Sequence, residues 1–183
     1  MDQGLIPRRY AKALFLAASE KGAEKQLYTE MGSLCAAFDR ESDLTKTMAN
    51  PFVSQADKSR LIISAAQTTA AKSPMLADFL TLLGRNRRID LIRAIALAYR
   101  DIYRKANHIY RVEVVAATAP SAENEKRLKE LILKELKGGQ MEYSLRIDPD
   151  LIGGFVVNID NERLDASIKN ELKQLRFKLL SQR

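Results

Sequence analysis

The spacing of apolar residues changes once along this chain, near residue 107, and that change restricts the possible folds more than any other feature. Before it, apolar residues recur every three or four positions, most clearly in residues 23–39, which predicts amphipathic helices. After it, residues 109–116 are β-branched and partly alternating, which predicts a strand. The sequence therefore predicts an α+β protein: an all-α bundle of five or six helices in residues 1–105, followed by a small mixed α/β domain in residues 106–183.

Local punctuation sets the helix boundaries in the first part. Gly22 follows the first apolar segment at a position where a left-handed C-terminal residue is common. Pro51 marks a break, because the residue before a proline avoids the α region. Ser54 has an acid, Asp57, three residues later, which predicts a capping box at the start of the next helix. The Ser73-Pro74 pair is predicted to start the following helix in the same way.

The second part follows the order β-α-β-β-α. Strands are predicted at 109–116, 141–147 and 153–159, and a helix at 121–136. The diglycine that opens the third strand indicates a tight turn or a close backbone approach. Asp165 is predicted to cap a terminal helix.

Residues with catalytic or metal-binding chemistry are few. His108 and Cys35 are the single histidine and the single cysteine, and Cys35 lies in an apolar stretch that predicts burial. One of each cannot build a zinc site, and no nucleophile constellation accompanies them. The segment beginning at Asp148 resembles the start of a calcium loop, but Ile152 and Ile159 occupy ligand positions, so a turn into a strand is predicted. The sequence predicts no catalytic, cofactor or metal site, and thus no enzyme.

The formal net charge of +7 is concentrated in residues 85–105, where seven basic side chains accompany two acidic ones. Such a run has two interpretations. One is a nucleic-acid footprint, which would make the chain a basic RNA- or ribosome-associated protein. The other is a solvated helix face or a contact with an acidic protein. The motif of interleaved basic and aromatic residues that RNA platforms use is absent from the sequence, which favours the second interpretation.

Four ordered blocks give the sequence a resemblance to a known family. They read RRYAKALF at 8–15, NPFV at 50–53, FLTLL at 79–83 and IDPDLIGGF at 147–155, the last followed by DASI at 165–168. Together they resemble the delta subunit of F-type ATP synthases, a family that includes the mitochondrial oligomycin-sensitivity-conferring protein. The resemblance spans the whole chain, and the fourth block is the most diagnostic.

That resemblance implies a six-helix N-terminal bundle and a smaller α/β C-terminal domain. It implies a non-catalytic stator subunit in proton-driven ATP synthesis, with no nucleic acid and no small-molecule substrate. The helical domain would bind the N-terminal segments of the α subunits, and the C-terminal domain would meet the b subunits of the peripheral stalk. The expected location is peripheral, on the cytoplasmic side of the bacterial inner (plasma) membrane.

The first and fifth helices carry more apolar residues than one buried face requires, which favours a second, partner-binding face on each. As the resemblance implies, a groove for an amphipathic helix is expected there. The candidate residues are Tyr10, Ala13, Leu14, Ala17, Leu76, Phe79, Leu80 and Leu83. The alternative is that these side chains fill the bundle core. The last helix offers a candidate surface for the b subunits at Leu172, Leu175, Phe177 and Leu179, with core packing again as the alternative.

Overall fold

The structure, a computed structural model, describes residues 4–69, 72–136 and 138–181. Over these residues it contains eight α-helices and a four-stranded sheet, so the predicted α+β class is confirmed. The chain divides into two compact units, Met1–Arg104 and Lys105–Arg183. Helices make up the first unit, and the sheet belongs to the second.

The first unit contains six of the described helices. They are α1 (Leu5–Glu20), α2 (Glu24–Arg40), α3 (Ser42–Ala49), α4 (Gln55–Ala65), α5 (Pro74–Arg85) and α6 (Ile92–Ala106). The pattern of apolar residues did not assign α3 individually, because its eight residues include only Leu44 and Met48 as large apolar side chains.

Two of the predicted helix ends are confirmed. Gly22 has φ +64° and follows α1, and its N–H donates to the carbonyl of Ser19 while that of Ala23 donates to Ala18. This pair of bonds satisfies carbonyls that the helix end would otherwise leave unpaired. The hydroxyl oxygen of Ser54 accepts the backbone N–H of Asp57 at 3.1 Å and the hydroxyl donates to its carboxylate at 2.6 Å.

The expected cap at Ser73 is wrong. Its hydroxyl does not bond the first turn of α5 but donates to Glu30 Oε2 at 2.7 Å, and both side chains are buried. Gln26 donates to the other carboxylate oxygen of Glu30 at 2.9 Å and also to the carbonyl of Lys72. A buried carboxylate requires hydrogen-bond donors, and here it draws the start of α5 onto α2.

The core of the first unit is formed by one apolar face of each long helix. Cys35 is buried within it, as its apolar context predicts. Tyr99 is fully buried, and its hydroxyl donates to the carbonyl of Glu24 at 3.1 Å. Other fully buried side chains are Leu27, Met31, Leu34, Ile62, Leu76, Leu80, Leu83, Ile92 and Ile95.

The second unit is a mixed sheet with two helices. Its elements are β1 (Ile109–Ala116), α7 (Ala122–Glu135), β2 (Gln140–Ile147), β3 (Gly154–Ile159), β4 (Glu162–Ser167) and α8 (Ile168–Ser181). The strand order is β2-β1-β3-β4; β1 and β2 are parallel, and the other two pairs are antiparallel. The apolar cluster around Val112, Val114 and Val157 packs with Ile132 of α7.

Strand β4 was not predicted, and Asp165 is not the helix cap that the sequence suggested. Asp165 lies in β4, where its carboxylate accepts the hydroxyl of Ser167 at 2.6 Å. Ser167 is the residue that caps α8, because its Oγ accepts the N–H of Asn170 at 3.2 Å. The strand escapes detection because it is polar and mostly exposed, as is usual for a strand at the edge of a sheet.

The segment before β3 forms the predicted turn into a strand. Asp148 accepts the N–H of Asp150, and the chain makes one 3-10 turn before β3 begins. Gly154 has φ +76°, and a Cβ at this position would collide with the carbonyl of Ala166. The close backbone approach that the diglycine indicated is therefore confirmed.

Candidate docking groove between α1 and α5

An apolar groove of about 530 Å³ runs along the surface between α1 and α5. The side of α1 contributes two small residues, Ala13 and Ala17, whereas the side of α5 contributes bulky ones. The complete lining consists of Arg9, Tyr10, Ala13, Leu14, Ala17, Lys21, Met75, Asp78, Phe79 and Leu82.

Five of the eight sequence-predicted residues meet at this groove: Tyr10, Ala13, Leu14, Ala17 and Phe79. Ala13 and Ala17 are exposed, whereas Leu14 and Phe79 are mostly covered by the bundle and form the floor.

The other three candidates, Leu76, Leu80 and Leu83, do not reach the groove. Each is at most 1% exposed and packs in the core. The reason is helical phase: each follows a groove residue or its neighbour by one position, and one residue rotates a side chain by about 100° around the helix axis.

Two apolar lining residues were missed, Met75 and Leu82. With Phe79 they form a stripe at spacings of four and three along α5, which is a detectable helical pattern. The core stripe of Leu76, Leu80 and Leu83 has the same spacing, so the sequence pattern alone could not distinguish the outer stripe from the inner one.

Tyr10 fixes the geometry at one end of the groove. Its ring meets Phe79 edge to face at 6.3 Å between centroids, an arrangement that adds to the burial of the two rings. Its hydroxyl accepts a hydrogen bond from Asn86 Nδ2 at 3.1 Å, and the guanidinium of Arg88 lies over the ring at 5.7 Å. These contacts tie α1 to the loop after α5, so the two walls of the groove are held together.

Charged groups lie along the groove: Arg9 and Lys21 on α1, and Asp78 on α5. Within the described part of the chain, none of the three is in an ion pair. A ligand with an apolar face and charged edges, such as an amphipathic helix, would match an apolar floor with charged borders.

The second unit presents a separate apolar stripe on α8. Leu172, Leu175 and Phe177 are 53%, 56% and 72% exposed, and Ile168 begins the same stripe. The side chain of Leu179, which the sequence also proposed for this surface, lies outside the described residues. Exposed large apolar groups on successive turns of one helix indicate a protein-binding surface.

A polar concavity of about 350 Å³ lies beside β4 and includes Asp165, Arg163 and Ser167. The hydrogen bond from the Ser167 hydroxyl, supported by one from Arg163, lowers the pKa of the Asp165 carboxyl below its usual value. These bonds serve the strand-to-helix junction, so we assign the concavity a structural role.

The basic run after α5 is engaged largely with the protein itself. Arg93 pairs with Asp39 at 2.7 Å, and Arg100 and Arg104 lie over the ring of Tyr28. Among residues 4–69, 72–136 and 138–181, no cluster of three His, Cys, Asp or Glu side chains could hold a metal ion. In the same part of the chain, no helix combines the length and apolar character needed to cross a bilayer.

Comparison with known proteins identifies the relatives. The sequence matches the family described as ATP synthase delta (OSCP) subunit over residues 6–179. It is 39% identical to ATP synthase subunit delta of Bacteroides thetaiotaomicron over 96% of this chain and 94% of that protein. It is 36% identical to the subunit delta of Parabacteroides distasonis over the full length of both. These relatives give no support to the alternative of an RNA- or ribosome-associated protein.

A solved structure shares the fold. One chain of the mitochondrial ATP synthase hexamer of Toxoplasma gondii superimposes with a TM-score of 0.73 at 22% identity. The match covers 95% of this chain and 97% of that one. The arrangement of helices and strands described above is therefore one that occurs within an ATP synthase.

Proposed function

Because the chain belongs to the ATP synthase delta (OSCP) subunit family, we propose that it links the catalytic head of an F-type ATP synthase to the b subunits of its peripheral stalk. Members of this family are non-catalytic stator subunits. In the proposal, the helices of the first unit form a six-helix bundle that binds the N-terminal segment of an α subunit. The second unit meets the b subunits, and the protein lies on the cytoplasmic side of the bacterial inner membrane.

The observation that carries the proposal is the groove between α1 and α5. Ala13 and Ala17 expose little beyond the backbone, so a docked helix can approach α1 closely, since interaxial distance depends on the side chains at the contact. Met75, Phe79 and Leu82 form the opposite wall and supply most of the apolar area. An amphipathic helix that buries one face against these two walls would bind without any change in the fold of the bundle.

A substitution at the small wall tests this docking. Ala13→Glu places a long, charged side chain in the groove, but Ala13 is exposed and glutamate is a good helix former, so the bundle should remain folded. The full-length variant should lose at least about tenfold in affinity for a synthetic peptide of the α-subunit N-terminus, since a buried contact is replaced by a desolvated charge. Isothermal titration calorimetry measures the affinity.

Ala36→Glu is the matched control, because Ala36 is an exposed alanine of α2 that does not line the groove. It should bind the peptide as the unmodified protein does. Equal binding by the Ala13→Glu and Ala36→Glu proteins would refute docking in this groove.

The proposed contact with the b subunits is tested on α8. Leu172→Glu should weaken retention of purified b subunits in a pull-down, because a docked stalk would have to bury the new carboxylate. Leu131→Glu on α7 is the control: Leu131 is 63% exposed in the same unit but lies on the other helix. If both variants retain b subunits to the same extent, the α8 stripe is not the contact surface.

A further inference from the structure

A second pocket of the first unit lies where the end of α3, the start of α4 and the end of α5 meet. Its volume is about 530 Å³, and it shares no lining residue with the groove between α1 and α5. Apolar groups line part of it, among them Met48 and Ile89. The remaining lining is rich in positive charge.

The most constrained of these charges is Lys58. The residue is only 5% exposed, and its Nζ donates to the carbonyl of Met48 at 2.7 Å. That bond satisfies a carbonyl in the last turn of α3, but an ammonium has three donors. In the described part of the chain, no carboxylate forms an ion pair with Lys58. A buried cation without a counter-charge is costly, so an anion at this position would be favoured.

Two arginines add to the positive charge of the pocket. Arg85 ends α5 and Arg87 follows it, whereas the lining contains one acidic residue, Asp90. Three cations against one carboxylate leave a net of two positive charges. Over the described residues, neither arginine is in an ion pair.

The backbone at Arg87 makes its side chain notable. Arg87 has φ +54°, and the N–H groups of Arg87 and Arg88 close the end of α5 by bonding the carbonyls of Gly84 and Leu83. Glycine is the residue that adopts this conformation without steric cost. An arginine here is retained despite a less favourable backbone, and its side chain lines the cationic pocket.

An exposed aromatic ring lies next to the pocket in sequence. Phe52 is 95% exposed and follows Pro51, which is itself a lining residue. The N–H of Phe52 donates to Asn50 Oδ1 at 2.9 Å, so the turn that carries the ring is held in place. Exposed aromatic groups of this kind serve as anchors when a partner covers them.

We propose that this pocket binds an acidic segment of a partner protein, in addition to the groove between α1 and α5. Side-chain carboxylates of that segment pair with Lys58 and Arg87, and an apolar residue of it covers Phe52. A protein ligand fits better than a nucleic acid, because one aromatic ring does not provide the stacking platform that unpaired bases use. The apolar part of the lining likewise matches a peptide with mixed character.

Fluorescence anisotropy with the full-length protein tests the proposal. The probe is a labelled peptide of alternating Glu, Asp and Leu residues, and its neutral counterpart carries Gln and Asn at the acidic positions. We expect saturable binding of the acidic peptide and at least about tenfold weaker binding of the neutral one, since charge-assisted hydrogen bonds are lost. Binding should weaken as salt is added, because partly exposed charges are screened.

Arg87→Gly separates binding from folding. Glycine relieves the backbone at φ +54°, so the variant should be at least as stable as the unmodified protein and yet bind the acidic peptide about tenfold more weakly. Gln67→Gly is the matched control, because Gln67 also has φ +54°, follows the end of α4 and does not line the pocket. Phe52→Ala should also weaken binding without affecting stability.

Three outcomes would overturn the proposal. The first is no saturable binding of the acidic peptide by the unmodified protein. The second is an equal effect of Arg87→Gly and Gln67→Gly on binding. The third is competition by inorganic phosphate or a single-stranded oligonucleotide at concentrations as low as those of the acidic peptide, which would assign the pocket to phosphate. None of these outcomes bears on the groove, whose test uses different variants.

Discussion

The hydrogen bond between Ser73 and Glu30 should make a large contribution to the stability of the helical unit. Ser73 is 3% exposed and Glu30 is 6% exposed, and the oxygen atoms lie 2.7 Å apart. Ser73→Ala removes the donor but leaves the carboxylate in place, so one buried oxygen loses its partner. Hydrogen bonds to charged groups contribute about 1.5–3 kcal/mol, and we expect a loss of about 2 kcal/mol in the free energy of unfolding.

Urea unfolding followed by circular dichroism measures this loss. With a slope of about 1–3 kcal/mol per molar urea, the midpoint should fall by roughly 1 M. Ser64→Ala is the control, because Ser64 is exposed on α4 and its midpoint should be unchanged. Ser73→Thr retains the hydroxyl and should recover part of the loss.

The same bond has a functional consequence. Ser73 immediately precedes α5, and Gln26 binds both Glu30 and the carbonyl of Lys72, so this cluster fixes where α5 begins relative to α2. Ser73→Ala should therefore also weaken binding of the α-subunit peptide. A change in unfolding free energy below about 0.5 kcal/mol, the usual range for surface substitutions, would refute the reasoning.

Two further predictions concern the second unit. Gly154→Ala should destabilise it by about 3 kcal/mol or more in urea unfolding, because a Cβ would meet the Ala166 carbonyl at a residue with φ +76°; Gly138→Ala, at φ +89° with open space around it, should cost about 1 kcal/mol, and equal losses would contradict the collision. The lowered pKa of Asp165 means that its bonds stabilise the fold above the usual aspartate range and that this contribution is lost as pH falls through the folded-state pKa. In an NMR titration, Ser167→Ala should raise the Asp165 pKa toward its ordinary value; an unchanged pKa would show that the hydroxyl is not the main cause.

Much of the fold follows from local patterns in the sequence. The spacing of apolar residues located the long helices, and Gly22 and Ser54 marked ends that depend on bonds within a few residues. The errors came where a side chain bonds to a distant partner. Ser73 has a helix-capping context, but the need of buried Glu30 for a donor decided its hydrogen bond, and the two are 43 positions apart.

The polar edge strand β4 shows a different limit. Its backbone pairs with β3 from Gly154↔Ser167 to Ile159↔Glu162, and this register depends on the neighbouring strand. Side chains that stay in water carry little periodicity, so nothing in residues 162–167 marks a strand when they are read alone. Asp165 was accordingly placed one step too close to the helix, and its bond to Ser167 was missed.

The groove illustrates why a surface can be located from sequence while its residues are sorted only by structure. In α1 the outer residues Tyr10, Ala13 and Ala17 each precede an inner one, and in α5 Met75 and Leu82 precede Leu76 and Leu83 in the same way. On both helices the outer stripe is thus rotated from the core stripe by one residue, about 100°, in the same sense. Two apolar stripes side by side predict that each helix contacts two things at once. Which stripe faces the core depends on how the other helices pack, and that information is not contained in the spacing of either helix.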